Sequence, residues 1–175
     1  VCIANHAVAT RAEVKEDETV LVQGCGPIGL AALVLSKLRG ATVVATDIVD
    51  YRCQWAGKFG ADLFLNAHTH DILSVVRDLT DGEGVDKVIE CVGGDQDETL
   101  LNAVRAVRRG GLIVMVGSFS TDCATLPVVD FKFNEKQLIG SQGMPEGYAP
   151  IFDLIRSDMF DLQSLVTHRF PLEET

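Results

Sequence analysis

Three glycines and one aspartate are the residues in this chain whose types and spacing suggest chemistry. Gly24, Gly26 and Gly29 form a Gly-x-Gly-x-x-Gly run, and Asp47 follows at a distance of about 20 residues. In such a run the first glycine permits a tight turn, the second lets backbone approach a pyrophosphate, and the third lets a helix pack closely on a strand. Pro27 and Ile28 fall between them, with the proline where a missing N–H costs least. The N–H groups and positive dipole end of a helix starting there suit phosphate oxygens. A carboxylate at the position of Asp47 accepts hydrogen bonds from an adenosine ribose. The chemistry is dinucleotide binding, and the acidic residue points to NAD.

Taken singly, a glycine run is often only a loop, and an aspartate after a strand is often only a helix cap. The surrounding elements decide between these readings. Val20, Leu21 and Val22 read as a strand buried on both faces. A helix through Leu30, Leu33, Val34 and Leu38 ends with Lys37, Arg39 and Gly40, and a second strand spans Thr42 to Asp47. The motif therefore lies in a strand-turn-helix-strand unit, its confirming context.

Helices and strands alternate along the rest of the chain. Residues Val1 to Val14 read as a helix, followed by the charged turn Lys15 to Glu18. Asp50 is placed to cap a helix that ends at Gly60, a strand follows at Leu63 to Leu65, and Asp71 is placed to cap a helix to Leu79. A strand at Asp86 to Cys91, a helix from Asp97 to Arg105, and a strand at Leu112 to Val116 come next. An irregular stretch from Ser118 to Asn134 precedes a sixth strand at Gln137 to Gly140, a helix at Tyr148 to Ser157 and an extended piece at Leu165 to Thr167. The pattern is α/β: a doubly wound parallel sheet of about six strands in the order 3-2-1-4-5-6, a Rossmann fold. Ligands of such sheets lie across the carboxyl ends of the strands, which adds Cys91, Val92, Gly93 and Gly94, and Val116, Gly117 and Ser118, to the candidate binding residues.

Composition narrows the function classes. The chain has 175 residues, 47% of them hydrophobic, with 15 basic and 25 acidic side chains and a net charge of −10, which suits one core and repels a phosphate backbone. Nucleic-acid and membrane partners are not expected, and a cytoplasmic location is. Cys2, Cys25, Cys53, Cys91 and Cys123 are scattered, which argues against a disulfide scaffold and a self-contained zinc site. His68 and His70 lie in a polar loop and read as a solvated face rather than as metal ligands.

The glycine run with its preceding Val-Leu-Val-Gln, Gly60-Ala61-Asp62, Val88 to Gly93, Gly110-Gly111 before Val116-Gly117, and Val166 to Glu173 together resemble the cofactor domain of medium-chain, zinc-dependent alcohol dehydrogenases, nearest the sorbitol and threonine dehydrogenase branch. The resemblance covers nearly the whole chain. It implies NAD(H) at the glycine loop, Asp47 on the ribose, Arg52 near adenine, and the backbone of Val116 to Ser118 beside the nicotinamide. It also implies a separate catalytic domain whose zinc polarises an alcohol or polyol substrate, and whose ligand motifs are missing here. His6 reads as a packed histidine, and no residue of this chain is assigned to catalysis or to metal.

On this reading residues 1–18 are a linking helix and turn from that other domain, 19–167 are the dinucleotide-binding domain, and 168–175 begin the return toward it. The sixth strand, at the sheet edge, is placed to pair with a second copy of the chain. Alternatives are a free-standing nucleotide-binding or regulatory module, and the cofactor domain of a zinc-free quinone or enoyl reductase, which Asp47 disfavours because its carboxylate repels a 2′-phosphate.

Overall fold

The computed structural model describes residues 1–94, 97–143, 148–156, 163–166 and 169–174. Its β-branched runs form six parallel strands: β1 (Thr19–Gln23), β2 (Thr42–Asp47), β3 (Leu63–Asn66), β4 (Val85–Glu90), β5 (Val107–Met115) and β6 (Gln137–Gly140). They stand in the order β3-β2-β1-β4-β5-β6, the reversal between β2 and β4 around β1 being the switch point of a doubly wound sheet. The register places Val22 between Ala45 and Ile89, and Ile89 beside Val114.

Side chains on a strand alternate between faces, so one sheet builds two cores. Val20, Val22, Val43, Ala45, Ile89 and Val114 belong to one, together with α1 (Cys2–Asn5) and α2 (Pro27–Lys37). Leu21, Val44, Val88 and Ile113 belong to the other, with α4 (Ile72–Leu79) and α5 (Asp97–Ala106). All ten of these strand residues are fully buried, and each large aliphatic side chain so removed from water stabilises the fold by about 1.5–3 kcal/mol. α3 (Asp50–Lys58) covers β2 and β3, and α6 (Val128–Phe133) and α7 (Tyr148–Arg156) complete the helices. Among the described residues no helix is long and apolar enough to cross a membrane.

Several local expectations change. The first helix runs as α1 into a π-helical turn, His6–Arg11, whose Ala7 and Val8 are buried, while Lys87 Nζ holds the carbonyls of Ala12 and Glu13. α3 is preceded by Val49, with no side-chain cap; Asp50 is its first residue, and its carboxylate accepts instead from the Asn66 amide on β3. Asp71 does cap α4, accepting from Ser74 N–H at 3.2 Å. β5 begins at Val107 rather than Leu112, because Val85 pairs with Val107 before a register shift. α6 lies in the stretch read as irregular, its Val128, Val129 and Phe133 about 70% exposed, so no inward apolar stripe marked it. Leu165, expected to open an extended piece, instead closes a 3-10 turn at Gln163–Leu165. Ser157, Thr167 and His168 lie outside the described residues.

Candidate functional site

The glycine loop joins β1 to α2. Gly24 has φ +87°, a left-handed conformation that favours glycine, and its N–H donates to the Thr46 carbonyl of β2 at 2.7 Å. A β-carbon on Gly29 would lie 1.7 Å from the Gly24 carbonyl oxygen, so a side chain there would push the helix off the loop. Gly26 precedes the helix, Pro27 is its first residue, and a β-carbon on Gly26 would meet nothing within 4 Å. Open space therefore lies over the loop where a ligand's phosphates would approach.

Asp47 ends β2 only 7% exposed, with both oxygens held by backbone: Cys25 N–H donates to Oδ2 at 2.8 Å and Val49 N–H to Oδ1 at 2.9 Å. The first of these bonds ties the carboxylate to the glycine loop. Arg52 Nη1 approaches Oδ2 at 3.8 Å from half-exposed α3.

Glu90 ends β4 fully buried. Its Oε1 accepts from Val92 N–H at 2.9 Å and from the Thr99 hydroxyl at 3.3 Å, and its backbone carbonyl accepts from Val116 and Gly117 at 2.8 and 3.1 Å. Burial pushes its carboxyl up to about 7, against the pull of the Val92 and Gly117 N–H groups and the Thr99 hydroxyl. The neighbouring thiols are raised too: burial, then the Asp47 charge, pushes Cys25 up to about 12, and burial raises Cys53 and Cys91. These are neutral packing groups, since the thiolate is the nucleophilic form.

A cleft of about 410 Å³ opens along these strand ends, lined by Gln23, Gly24, Gly26, Pro27, Thr46, Asp47, Ile48, Arg52, Ala67, His68, Ile72, Cys91, Val92, Gly93, Glu98, Thr99 and Asn102. Of the residues expected from sequence, Gly24, Gly26, Pro27, Asp47, Arg52, Cys91, Val92 and Gly93 come together in it. Ile28 packs against the core and Gly29 serves the helix contact behind the loop. Val116, Gly117 and Ser118 stand at the next strand end outside this lining, where the Ser118 carbonyl accepts from Gly94 N–H at 3.0 Å.

Sequence reasoning missed Gln23, Thr46, Ala67 and His68, each at or just past a strand end and so findable by the topological rule. Thr99 and Asn102 had no such signal, because the facing of α5 is set by packing. Among the described residues no group of three or more His, Cys, Asp and Glu side chains comes together to hold a metal ion.

The sequence model of zinc-binding dehydrogenases matches residues 27–157. The chain belongs to the zinc-binding dehydrogenase family. It is 34% identical to an alcohol dehydrogenase of Cupriavidus necator, over 95% of this chain and 46% of that protein. It is 35% identical to an L-threonine 3-dehydrogenase of Symbiobacterium thermophilum (89% and 45%) and 32% identical to a sorbitol dehydrogenase of Bacillus subtilis (97% and 48%). Its fold superposes on an alcohol dehydrogenase from Thermus sp. ATN1 with a TM-score of 0.91 at 28% identity, covering 99% of this chain and 50% of that one. A zinc-binding dehydrogenase from Sinorhizobium meliloti with NADP bound gives 0.87 at 25% identity, covering 95% and 49%. The chain thus spans about half the length of these members of the zinc-binding dehydrogenase family, and it forms their Rossmann-type cofactor domain.

Proposed function

We propose that this chain binds NAD(H) in the cleft at the ends of β1, β2 and β4, as the cofactor half of a cytoplasmic alcohol or polyol dehydrogenase. The carrying observation is the Asp47 carboxylate, which faces the cleft while fixed to the glycine loop by Cys25 N–H. Each of its oxygens keeps lone-pair capacity for a ribose hydroxyl, and its charge opposes a 2′-phosphate. The open face of Gly26 and the first turn of α2 suit the pyrophosphate. Arg52 lies on the adenine side, Cys91 and Val92 wall the cleft, and the backbone of Val116, Gly117 and Ser118 is assigned to the nicotinamide. When bound, the nicotinamide supplies the hydride acceptor; this chain's residues bind and orient it. Zinc is assigned to the rest of the dehydrogenase, since among the described residues no group of His, Cys, Asp and Glu side chains fits a metal.

Calorimetric titration with NADH and NADPH tests the assignment. Tighter NADH binding is expected; tighter NADPH binding, as the NADP-bound relative and Arg52 would favour, overturns it. A homodimer through β6 fits the single neighbour of that strand and the exposed Val128, Val129 and Phe133 of adjacent α6; light scattering reads it directly.

A further inference from the structure

Gln23 and Glu90 are register partners at the ends of β1 and β4, and such partners project to the same face of a sheet. Both are tethered to one residue of α5: Gln23 Nε2 donates to the Thr99 carbonyl at 3.1 Å, and the Thr99 hydroxyl donates to Glu90 Oε1 at 3.3 Å. Among the described residues two buried acceptors, Gln23 Oε1 and Glu90 Oε2, have no hydrogen-bond partner. Rotating the Gln23 amide only moves the mismatch, because its oxygen would then oppose the Thr99 carbonyl, one acceptor against another. A single proton on Oε2 directed at Gln23 Oε1 would satisfy both atoms, and buried polar groups are costly until satisfied.

We propose that Glu90 is held as a neutral carboxylic acid whose Oε2–H donates to Gln23 Oε1, and that this acid is a positioning group for the dinucleotide cleft. Glu90 does not itself line the cleft, but the three residues it organises, Gln23, Val92 and Thr99, all do. Ionising it sets a buried charge against the Gln23 oxygen and loosens that wall. Among the described residues no countercharge faces it: β1 and β5 present Gln23 and Met115 at this level. α5 presents Thr99, with exposed Glu98 beside it, and the next residue of the strand, Cys91, is a thiol held neutral by burial. The positioning role rests on the cofactor reading above; the location of the proton does not.

Two measurements on the 175-residue chain test this. Infrared difference spectra from about pH 5 to about pH 9 should show a carboxylic acid band that persists to neutrality, is absent in Glu90→Gln, and titrates higher in Thr99→Val, which loses a donor to the charged form. Absence of any protonated carboxyl at about pH 6, or its persistence in Glu90→Gln, overturns the assignment. The wild-type and Thr99→Val spectra decide the matter even should Glu90→Gln fail to fold. In calorimetry, NADH affinity should fall about tenfold between pH 6 and pH 8, following the neutral fraction of a group titrating near 7, and should stay flat in Glu90→Gln, whose amide imitates the acid. Equal slopes in both proteins overturn the positioning role. Failure of NADH to bind at any pH overturns the cofactor reading and the role with it, while the infrared result still locates the proton.

Discussion

Two strands flanking β1 end in buried carboxyls that are treated in opposite ways. Asp47, at the end of β2, receives a backbone N–H on each oxygen. Glu90, at the end of β4, receives two hydrogen bonds on one oxygen; among the described residues the other accepts none, and the Gly117 N–H adds only the smallest of the three pulls on the carboxyl. Burial alone penalises a carboxylate, and donors to the charged form offset that penalty. Donor placement therefore separates a carboxyl with a backbone N–H on each oxygen, lining the cleft, from one pushed up to about 7 behind its wall.

The sharpest way to break this comparison is to remove the loop that holds Asp47. Gly29→Ala puts a carbon on the Gly24 carbonyl, and a clash with backbone should destabilise the chain by about 3 kcal/mol or more, read by urea denaturation. The comparison sharpens with pH. Glu90 has a folded-state value near 7, raised above its ordinary 4.5, so the folded state binds the proton more tightly. Its contribution is complete below pH 4.5 and is lost as pH rises through 7, at most roughly 3 kcal/mol. Denaturation midpoints of wild type minus Glu90→Gln should show this slope across that window and a plateau above it. Asp47→Ala leaves two N–H groups without their acceptor and the ribose without its own; NADH affinity should fall by about 2 kcal/mol, with a smaller loss for NADPH, by calorimetry. Arg52→Ala removes only a long, half-exposed ion pair to Asp47, and stability should move by less than about 0.5 kcal/mol.

Local pattern explains why so much of this site was legible. The glycine loop, the strand before it and Asp47 are close in sequence, and each has one conformational or electrostatic job that few residue types perform. Asp71 was legible as a cap for the same reason. Asp50 was not, because Asn66, from the neighbouring strand, takes its carboxylate. α6 was hidden because Val128, Val129 and Phe133 face outward and only Phe131 packs on the core, and the early start of β5 depends on pairing with Val85, which no window of sequence contains.

Glu90 marks the division most clearly. In sequence it ends an apolar strand, as Asp47 does, and the two look alike. The alternation of strands and helices, the glycine turn, the Asp71 cap and the acidic residue at the end of β2 were determined by local sequence, because they follow from backbone propensity and side-chain alternation. That the Glu90 carboxyl is buried with donors on only one oxygen was decided only when β4 paired with β1 and α5 packed over both. Those contacts bring Gln23, Glu90 and Thr99 together from three elements, and hydration is lost there only in the assembled core.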